Sequence, residues 1–430
     1  MPQEFEFESR KISEREKAVL VGLSSPVLGE DATSDEESLD ELEALLETAG
    51  GVCVEKLLQR RDAPDPRTFI GKGKASEVRA LARDTGAALI VLDNDLAPAQ
   101  ARALEEDTEV RVIDRSGLIL DIFAGRARTK EGKLQVELAQ YKYVLPRLTG
   151  MWTHLVRQTA SGGAGPIGTR GPGETQLETD RRHIRRRIQR LEDELSEIRR
   201  ARTVQRSLRE RNRVKVVAMA GYTNSGKSTL LNTLTGAGIP ANDRLFDTLD
   251  PTTRRLVLPG GREVLFSDTV GFIRKLPHHL IEAFRATLEE LTYADVILHI
   301  IDVSDPHHEN HVKVAEELLR RLGAGSIPTI KVYNKADKAD FDMPRDPGSV
   351  CISALRGRNI DALLDAITKA LDADSENVSL LLPYSVPSLL DRIYREGVVL
   401  GTDYLAEGIA VRAVFTAGAP EWVERYRQLS

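Results

Sequence analysis

The octapeptide GYTNSGKS, Gly221 to Ser228, decides how this chain is read. It fits the pattern G-x-x-x-x-G-K-[ST], with the apolar run VKVVAMA (Val214–Ala220) before it and STLLNTL (Ser228–Leu234) continuing from it. A strand thus feeds a glycine-rich turn that opens a helix. Backbone amides at a helix N-terminus point at anions, and the helix dipole favours negative charge there. Gly221, Tyr222, Thr223, Asn224, Ser225, Gly226, Lys227, Ser228 and Thr229 are therefore expected to cradle nucleotide phosphates. Lys227 would neutralise the β/γ-phosphates and Ser228 would ligate Mg²⁺. Such an octapeptide also occurs in unrelated chains, so the residues that follow have to agree with it.

They do so in an order typical of one class of nucleotide hydrolase. The strand-like EVLFSDTVG (Glu263–Gly271) ends in Asp268, which could hold Mg²⁺ through water, and in Gly271, whose amide could meet a γ-phosphate. VILHIID (Val296–Asp302) and IPTIKVYNKAD (Ile327–Asp337) read as buried parallel strands. In NKAD, Asp337 is an acceptor-only carboxylate, and of the two purines guanine alone offers the paired donors of N1–H and an exocyclic amine. Asn334 could bridge base and phosphate loop, and the aliphatic stem of Lys335 could lie along the base. Ser353 and Ala354, in CISAL, would supply a loop amide to the guanine carbonyl. Singly, each piece has a plain structural reading, such as a turn cap for Asp268. Together and in this order they define residues 213–374 as a GTPase domain.

The segment DRLFDTLDPTTRRL (Asp243–Leu256) falls where such domains keep the loop that senses the γ-phosphate. Thr252 is the expected sensing hydroxyl and third Mg²⁺ ligand, with its neighbour Thr253 not separated from it by sequence. Where many GTPases place a water-orienting glutamine after the glycine, this chain has Phe272, whose ring cannot orient water by hydrogen bonding. Hydrolysis alone is expected to be slow and completed by backbone, a cation or a partner. Asn224 could hold K⁺ beside the phosphates, or only hydrogen-bond within its loop. Lys227, Thr252, Gly271 and Asn224 are thus the expected catalytic set.

With 430 residues, 41% hydrophobic and 29% charged, the chain has the composition of a soluble multidomain protein. No apolar run reaches the roughly 20 residues that span a bilayer, so membrane contact would be peripheral at most. The opening MPQEFEFESR lacks the basic and apolar parts of a secretory signal. Cys53 and Cys351 sit in apolar runs and are expected to be buried thiols of a cytoplasmic protein, taken to be monomeric.

The net charge of −6 is unevenly spread: residues 30–47 are acidic, whereas residues 181–213 hold thirteen arginines against five carboxylates. A solvated helix face could carry such a run, but an excess this large is hard to pair internally. Arginine suits bidentate contact with phosphates, which points to RNA. Ile184, Ile188, Leu191, Leu195 and Ile198 alternate spacings of four and three, as do Leu134, Leu138, Tyr141, Leu145 and Leu148 upstream, with Pro146 ending or kinking that helix. Two such seams predict a helical hairpin over residues 133–212. Its connection, Thr149 to Gly173, contains seven glycines together with Trp152, His154, Arg157 and Arg170, suited to entering a phosphate-lined crevice and stacking on bases.

Residues 1–132 read as a further α/β unit with a small parallel sheet, from apolar runs at Ala18–Leu23, Gly51–Leu58, Ala88–Leu92 and Val110–Ile113 alternating with helix-like segments. FIGKGKASEV (Phe69–Val78) could offer amides and Lys72 or Lys74 to phosphate, although a basic turn for RNA reads as well. Residues 375–430 read as a small C-terminal α/β unit without a catalytic constellation. The fold class expected is therefore multidomain α/β.

FIGKGKASEV, GGAGPIGTRGPGETQLETDRR, GYTNSGKSTLLN, FDTLDPTTR and DTVGFI together resemble the HflX family of ribosome-associated GTPases over nearly the whole chain. The resemblance implies an N-terminal α/β domain, a helical hairpin, a GTPase domain and a C-terminal domain. It further implies binding to the large ribosomal subunit and its RNA, and splitting of stalled ribosomes under stress, with the hairpin loop reaching toward the peptidyl-transferase centre. ATP binding at the N-terminal domain, credited to some members, would place ATP near GKGK. Leu355 stands where many GTPases have lysine in the last guanine-contacting loop, leaving that contact to backbone amides. Two other readings stay open: a GTPase assembling immature large subunits, and an RNA-remodelling ATPase working through the N-terminal domain.

Overall fold

The computed structural model describes residues 16–28, 32–149, 172–211, 214–236, 238, 245–246, 249, 252–259, 261–275, 277, 280, 285–338, 346–373, 376–386, 388–415 and 419–427. The first sheet contains β1 (Lys17–Ser24), β2 (Val52–Arg60), β3 (Leu89–Leu92) and β4 (Arg111–Asp114) in the order β2-β1-β3-β4, every pairing parallel. Parallel strands need both faces covered, which is why β1 and β3 are continuous apolar runs. Their side chains alternate between two cores. Ala18, Leu20 and Val91 pack on Leu39, Leu42 and Leu46 of α1 (Ala32–Ala49) and on Leu118, Ile122 and Phe123 of α4 (Arg115–Arg126). Val19, Val21, Ile90 and Leu92 pack on Ala75 and Val78 of α2 (Lys72–Thr85) and on Leu104 of α3 (Pro98–Thr108).

α5 (Lys130–Val144) starts at Thr129, whose side chain accepts from the Gly132 amide, and stops just before Pro146. It pairs with α6 (Pro172–Arg211), a single helix of 40 residues. Leu134, Leu138, Leu191 and Leu195 form the buried seam, flanked by Tyr141, Ile188 and Ile198. The glycine-rich connection with Trp152, His154, Arg157 and Arg170 lies outside the described residues. Arg182, Arg185, Arg186, Arg190, Arg199 and Arg200 of α6 are exposed.

The second sheet contains β5 (Lys215–Gly221), β6 (Thr252–Val257), β7 (Glu263–Asp268), β8 (Val296–Asp302), β9 (Thr329–Asn334) and β10 (Val350–Cys351), in the order β10-β9-β8-β5-β7-β6. Only β6, at the edge, runs antiparallel to its neighbour. α7 (Lys227–Thr235) and α10 (Ile360–Asp372) help cover one face, while α8 (Arg285–Thr292) and α9 (His308–Arg321) help cover the other. The core on the α8/α9 side continues into the N-terminal unit, where Phe123 of α4 meets Phe246 edge-on with ring centroids 4.8 Å apart.

The last sheet holds β11 (Glu376–Leu382), β12 (Val398–Leu405) and β13 (Gly408–Phe415), in the antiparallel order β11-β13-β12, with Ile393 of α11 (Ser388–Glu396) in its core. Cys53 and Cys351 form no disulfide, but they are half-buried rather than buried as expected: each sits on a strand at a sheet edge, where one flank stays open. Among the described residues no helix is long and apolar enough to cross a membrane.

Candidate active site at the phosphate loop

The strand order places the carboxyl ends of β5, β7, β8 and β9 along one edge, where open α/β sheets form their crevices. Gly221 ends β5 with φ 152° and crowds the Ile300 carbonyl of β8 so closely that a side chain would collide. Gly226, φ 93°, leaves for the amide nitrogen of Asn334 the space that a Cβ would occupy. Both glycines are thus fixed by sterics. Between them Tyr222, Thr223 and Ser225 are buried, and Asn224 is exposed with φ 59°. Thr223 Oγ1 and Ser225 Oγ are buried polar atoms without a hydrogen-bond partner among the described residues.

Lys227 opens α7 and folds back on the loop. Its ammonium donates to the carbonyls of Gly221 (3.0 Å) and Tyr222 (2.6 Å). Burial lowers its pKa to about 8, with the Asp268 carboxylate opposing that drop. Ser228 Oγ donates to Asp268 Oδ2 at 2.7 Å, and Asp268 is fully buried. Thr229 follows in the first turn of α7.

Thr252 and Thr253 occupy the first positions of β6, so they lie in a strand and not in a loop. Thr252 pairs with Asp268 and Thr253 with Ser267. Residues opposite each other in an antiparallel pair share a face, and successive residues alternate. Thr252 therefore stands on the Asp268 side and Thr253 on the other, a distinction the sequence left open. A Cβ added to Gly271 would lie 2.9 Å from Thr223 Cα, so this glycine permits the close approach of two backbones. Next to it, the Phe272 carbonyl accepts from Thr223 N (2.8 Å) and the Phe272 amide donates to the Gly221 carbonyl (3.0 Å). These bonds are made by the backbone of Phe272; its ring is buried in the core shared with the N-terminal unit.

At the other end of the crevice, Asn334 donates through its amide to Ser225 O (2.9 Å) and accepts from Ala354 N (2.9 Å), tying the phosphate loop to the CISAL turn. Ser353 Oγ donates to Asp337 at 2.5 Å, and that bond holds the Asp337 carboxyl below its ordinary pKa, keeping an acceptor-only group at the rim. Lys335, with φ 61°, pairs with Asp302 at 2.7 Å. Asn334 thus joins the phosphate loop to the CISAL turn, which in turn holds Asp337 through Ser353. Lys72 and Lys74 do not join them. There the Gly71 amide is taken by Thr68 Oγ1 (3.1 Å), Lys74 pairs with Glu77 (2.7 Å), and Arg61 covers the turn.

Sequence reasoning missed a second set of residues, on the far side of the phosphate loop. The Tyr222 hydroxyl donates to Glu41 of α1 in a short bond and accepts from the Arg274 amide at 2.8 Å. Its ring stacks on His311, centroids 3.8 Å apart. Burial, and then the Glu41 carboxylate, push the Tyr222 pKa well above its ordinary value, so the hydroxyl remains a donor. Glu41 also pairs with Arg115, which is 1% exposed and binds Asp93 at 2.6 Å. Asp93 in turn holds Lys275 at 2.6 Å, and Glu37 holds both Arg274 and His307 at 2.5 Å. The acidic run thus faces the segment after Gly271. Its available signal was the four-residue spacing of Glu37 and Glu41, one helical face.

Residues 36–124 match the family model described as GTP-binding GTPase N-terminal, 126–209 GTP-binding GTPase Middle Region, and 216–335 50S ribosome-binding GTPase. The chain is similar to GTPase HflX of Caldanaerobacter subterraneus subsp. tengcongensis, 46% identical over 96% of this chain and 94% of that protein. It is also similar to GTPase HflX of Escherichia coli K12, 45% identical over 84% of this chain and 85% of that one. A crystal structure of a GTP-binding protein from the archaeon Sulfolobus solfataricus in complex with GDP covers 83% of this chain and 98% of its own, with 24% identity and a TM-score of 0.42.

Proposed function

This chain belongs to the HflX family of GTPases and is a GTP hydrolase, and from that premise we propose that it binds the large ribosomal subunit and dissociates stalled or idle ribosomes under stress. The observation that carries the proposal is α6: a helix of 40 residues, held against α5 by a leucine seam, that presents six exposed arginines. Such a face suits RNA phosphates. We take the chain as four parts, 1–132, 133–212, 213–374 and 375–430, acting as a cytoplasmic monomer, with the hairpin as the ribosomal probe.

In this reading the amides of residues 221–229 hold the phosphates, and Lys227 leaves the loop carbonyls to meet the β- and γ-oxygens. Asn334, Lys335, Asp337, Ser353 and Ala354 select guanine. Ser228 Oγ and the buried Asp268 Oδ2, hard oxygens 2.7 Å apart, fit Mg²⁺, with Thr252 on the same face completing the set. Mg²⁺, when bound, neutralises charge on the β/γ-phosphates. The Gly271 amide meets the γ-phosphate, and because the Phe272 ring is buried away from it, no side chain at that position orients water. Hydrolysis is consequently slow until the ribosome completes the site. In the same reading Asn224, exposed beside Thr223, would hold K⁺ there. ATP at the GKGK turn has no such support, since the Gly71 amide is already bonded to Thr68.

The test is GTP turnover with and without purified large subunits, followed by sedimentation of intact ribosomes incubated with protein and GTP. Stimulated turnover together with free subunits supports the proposal. Stimulation without free subunits converts it to an assembly role, and neither effect removes it. Exchanging K⁺ for Na⁺ in the same assay should lower the rate several-fold, and an indifferent rate excludes a cation at Asn224.

A further inference from the structure

The geometry points to a positioning residue outside the GTPase domain: we propose that Glu41, on the first helix of the N-terminal unit, aligns the phosphate loop with the Gly271–Arg274 backbone for hydrolysis, acting through the Tyr222 hydroxyl. Tyr222 belongs to both structures that must meet the γ-phosphate. Its carbonyl receives the Lys227 ammonium at 2.6 Å, and its hydroxyl receives the Arg274 amide at 2.8 Å. The same hydroxyl donates to Glu41, so its single proton is directed toward the N-terminal unit and its lone pair toward Arg274. A hydroxyl without that acceptor would be free to rotate and would lose the fixed alignment.

Glu41 is itself held. Arg115, 1% exposed, pairs with it on one side and with Asp93 on the other, and Asp93 reaches Lys275. Two chains of contact therefore run from one buried guanidinium to consecutive residues, Arg274 and Lys275, just beyond the Gly271 amide. The stack of Tyr222 on His311 fixes the ring plane, which leaves the hydroxyl as the only part whose direction Glu41 sets. Preorganised donors count in hydrolysis because they need no rearrangement when charge develops, and small misalignments are costly. This inference rests on the phosphate-loop assignment above, not on the ribosomal reading.

The experiment is single-turnover GTP hydrolysis by the full chain, with GTP and GDP affinities measured alongside. Tyr222→Phe keeps the ring, its stack and the fold while removing the hydroxyl, and should lower kcat on the order of tenfold with KM and GDP affinity unchanged. Glu41→Ala should do the same, and the double variant should be no slower than either single one. Glu41→Gln, which retains an oxygen acceptor, should recover most of the rate. Lys227→Ala separates the two levels: if it still binds nucleotide normally, the loop assignment itself is wrong. If Lys227→Ala abolishes binding while Tyr222→Phe leaves kcat unchanged or raises it, or if the Tyr222 and Glu41 losses add, the positioning role is overturned.

Discussion

The buried ammonium of Lys227 makes nucleotide affinity depend on pH in a direction and window that can be worked out. In the nucleotide-free chain, burial takes this group from its ordinary 10.5 to about 8. Between phosphate oxygens the charged form is favoured, so its pKa in the complex lies well above 8. The complex therefore holds more protons than the free protein, and affinity is highest below pH 8 and falls as pH rises through it. The observed Kd scales as one plus ten to the power of (pH − 8). From pH 7 to pH 8.5 it should rise about fourfold, and GDP binding at pH 8.5 should take up about 0.8 proton. Titration calorimetry in buffers of different ionisation enthalpy measures that proton directly. Staying at or below pH 8.5 avoids ionising guanine N1, and His299, held by burial to about 4, titrates far outside the window. A flat Kd with no proton uptake would refute the idea that Lys227 moves from loop carbonyls to phosphates. The same drop has a folding consequence of opposite sense. The unfolded chain binds this proton more tightly, so nucleotide-free stability should increase from pH 8 toward 10.5, by about 3 kcal/mol in all at 1.36 kcal/mol per pH unit.

Asp337→Asn replaces an acceptor-only carboxylate by an amide with donors, so GTP affinity should fall by about a hundredfold or more while xanthosine triphosphate, whose 2-carbonyl accepts, gains affinity. Competition of the two against a fluorescent GDP analogue reads the ratio, and an unmoved ratio removes Asp337 from base selection. Leu191, completely buried in the hairpin seam, should cost about 2–5 kcal/mol of local stability on truncation to alanine. Limited proteolysis of α5 and α6 should show the loss. Basal GTP turnover should stay at its wild-type value while stimulation by large subunits declines, and equal loss of both would show that the hairpin serves the fold of the GTPase domain instead.

The phosphate and guanine loops were legible in the sequence because their chemistry is local: a glycine forced by a carbonyl or an amide at contact distance leaves a short, ordered signature, as Gly221 and Gly226 do. The leucine seam of α5 and α6 was legible for the same reason, since periodicity along one helix reports the face it buries. What stayed hidden was relational. Nothing in DEESLDELEALLETAG shows that Glu37 and Glu41 meet Arg274 and Tyr222 of the GTPase domain, because those partners are 181 to 237 residues distant along the chain. The strand β6 was hidden differently. Its Thr-Thr-Arg-Arg run follows a proline and looks like a turn, and only pairing with β7 on one side makes it a strand. β12 was missed for a similar reason, an edge strand interrupted by a glycine bulge next to Leu400.

Why the interface behind the phosphate loop contains charges at all is a question of energetics. Its apolar part is already continuous, with Phe123, Phe246 and Phe272 in one core. Extending that core through Glu41, Arg115 and Asp93 with aliphatic side chains of similar volume would hold the domains together at least as well, because desolvating an ion pair commonly consumes most of its Coulombic gain. What apolar contacts do not supply is direction. Hydrophobic burial is non-directional, whereas Arg115 satisfies Glu41 and Asp93 together only in one placement of α1 over β3 and β4. That placement also sets where the Glu41 oxygen meets Tyr222 and where Asp93 meets Lys275. The buried guanidinium is therefore better understood as fixing the angle at which the N-terminal unit meets the nucleotide site than as strengthening their attachment. Arg115→Met combined with Glu41→Leu is the variant in which the two differ: it removes the ion pair without stranding the Glu41 carboxylate, and Asp93 keeps Lys275, so the domains remain packed and thermal stability is nearly kept, while kcat falls as it does in Glu41→Ala.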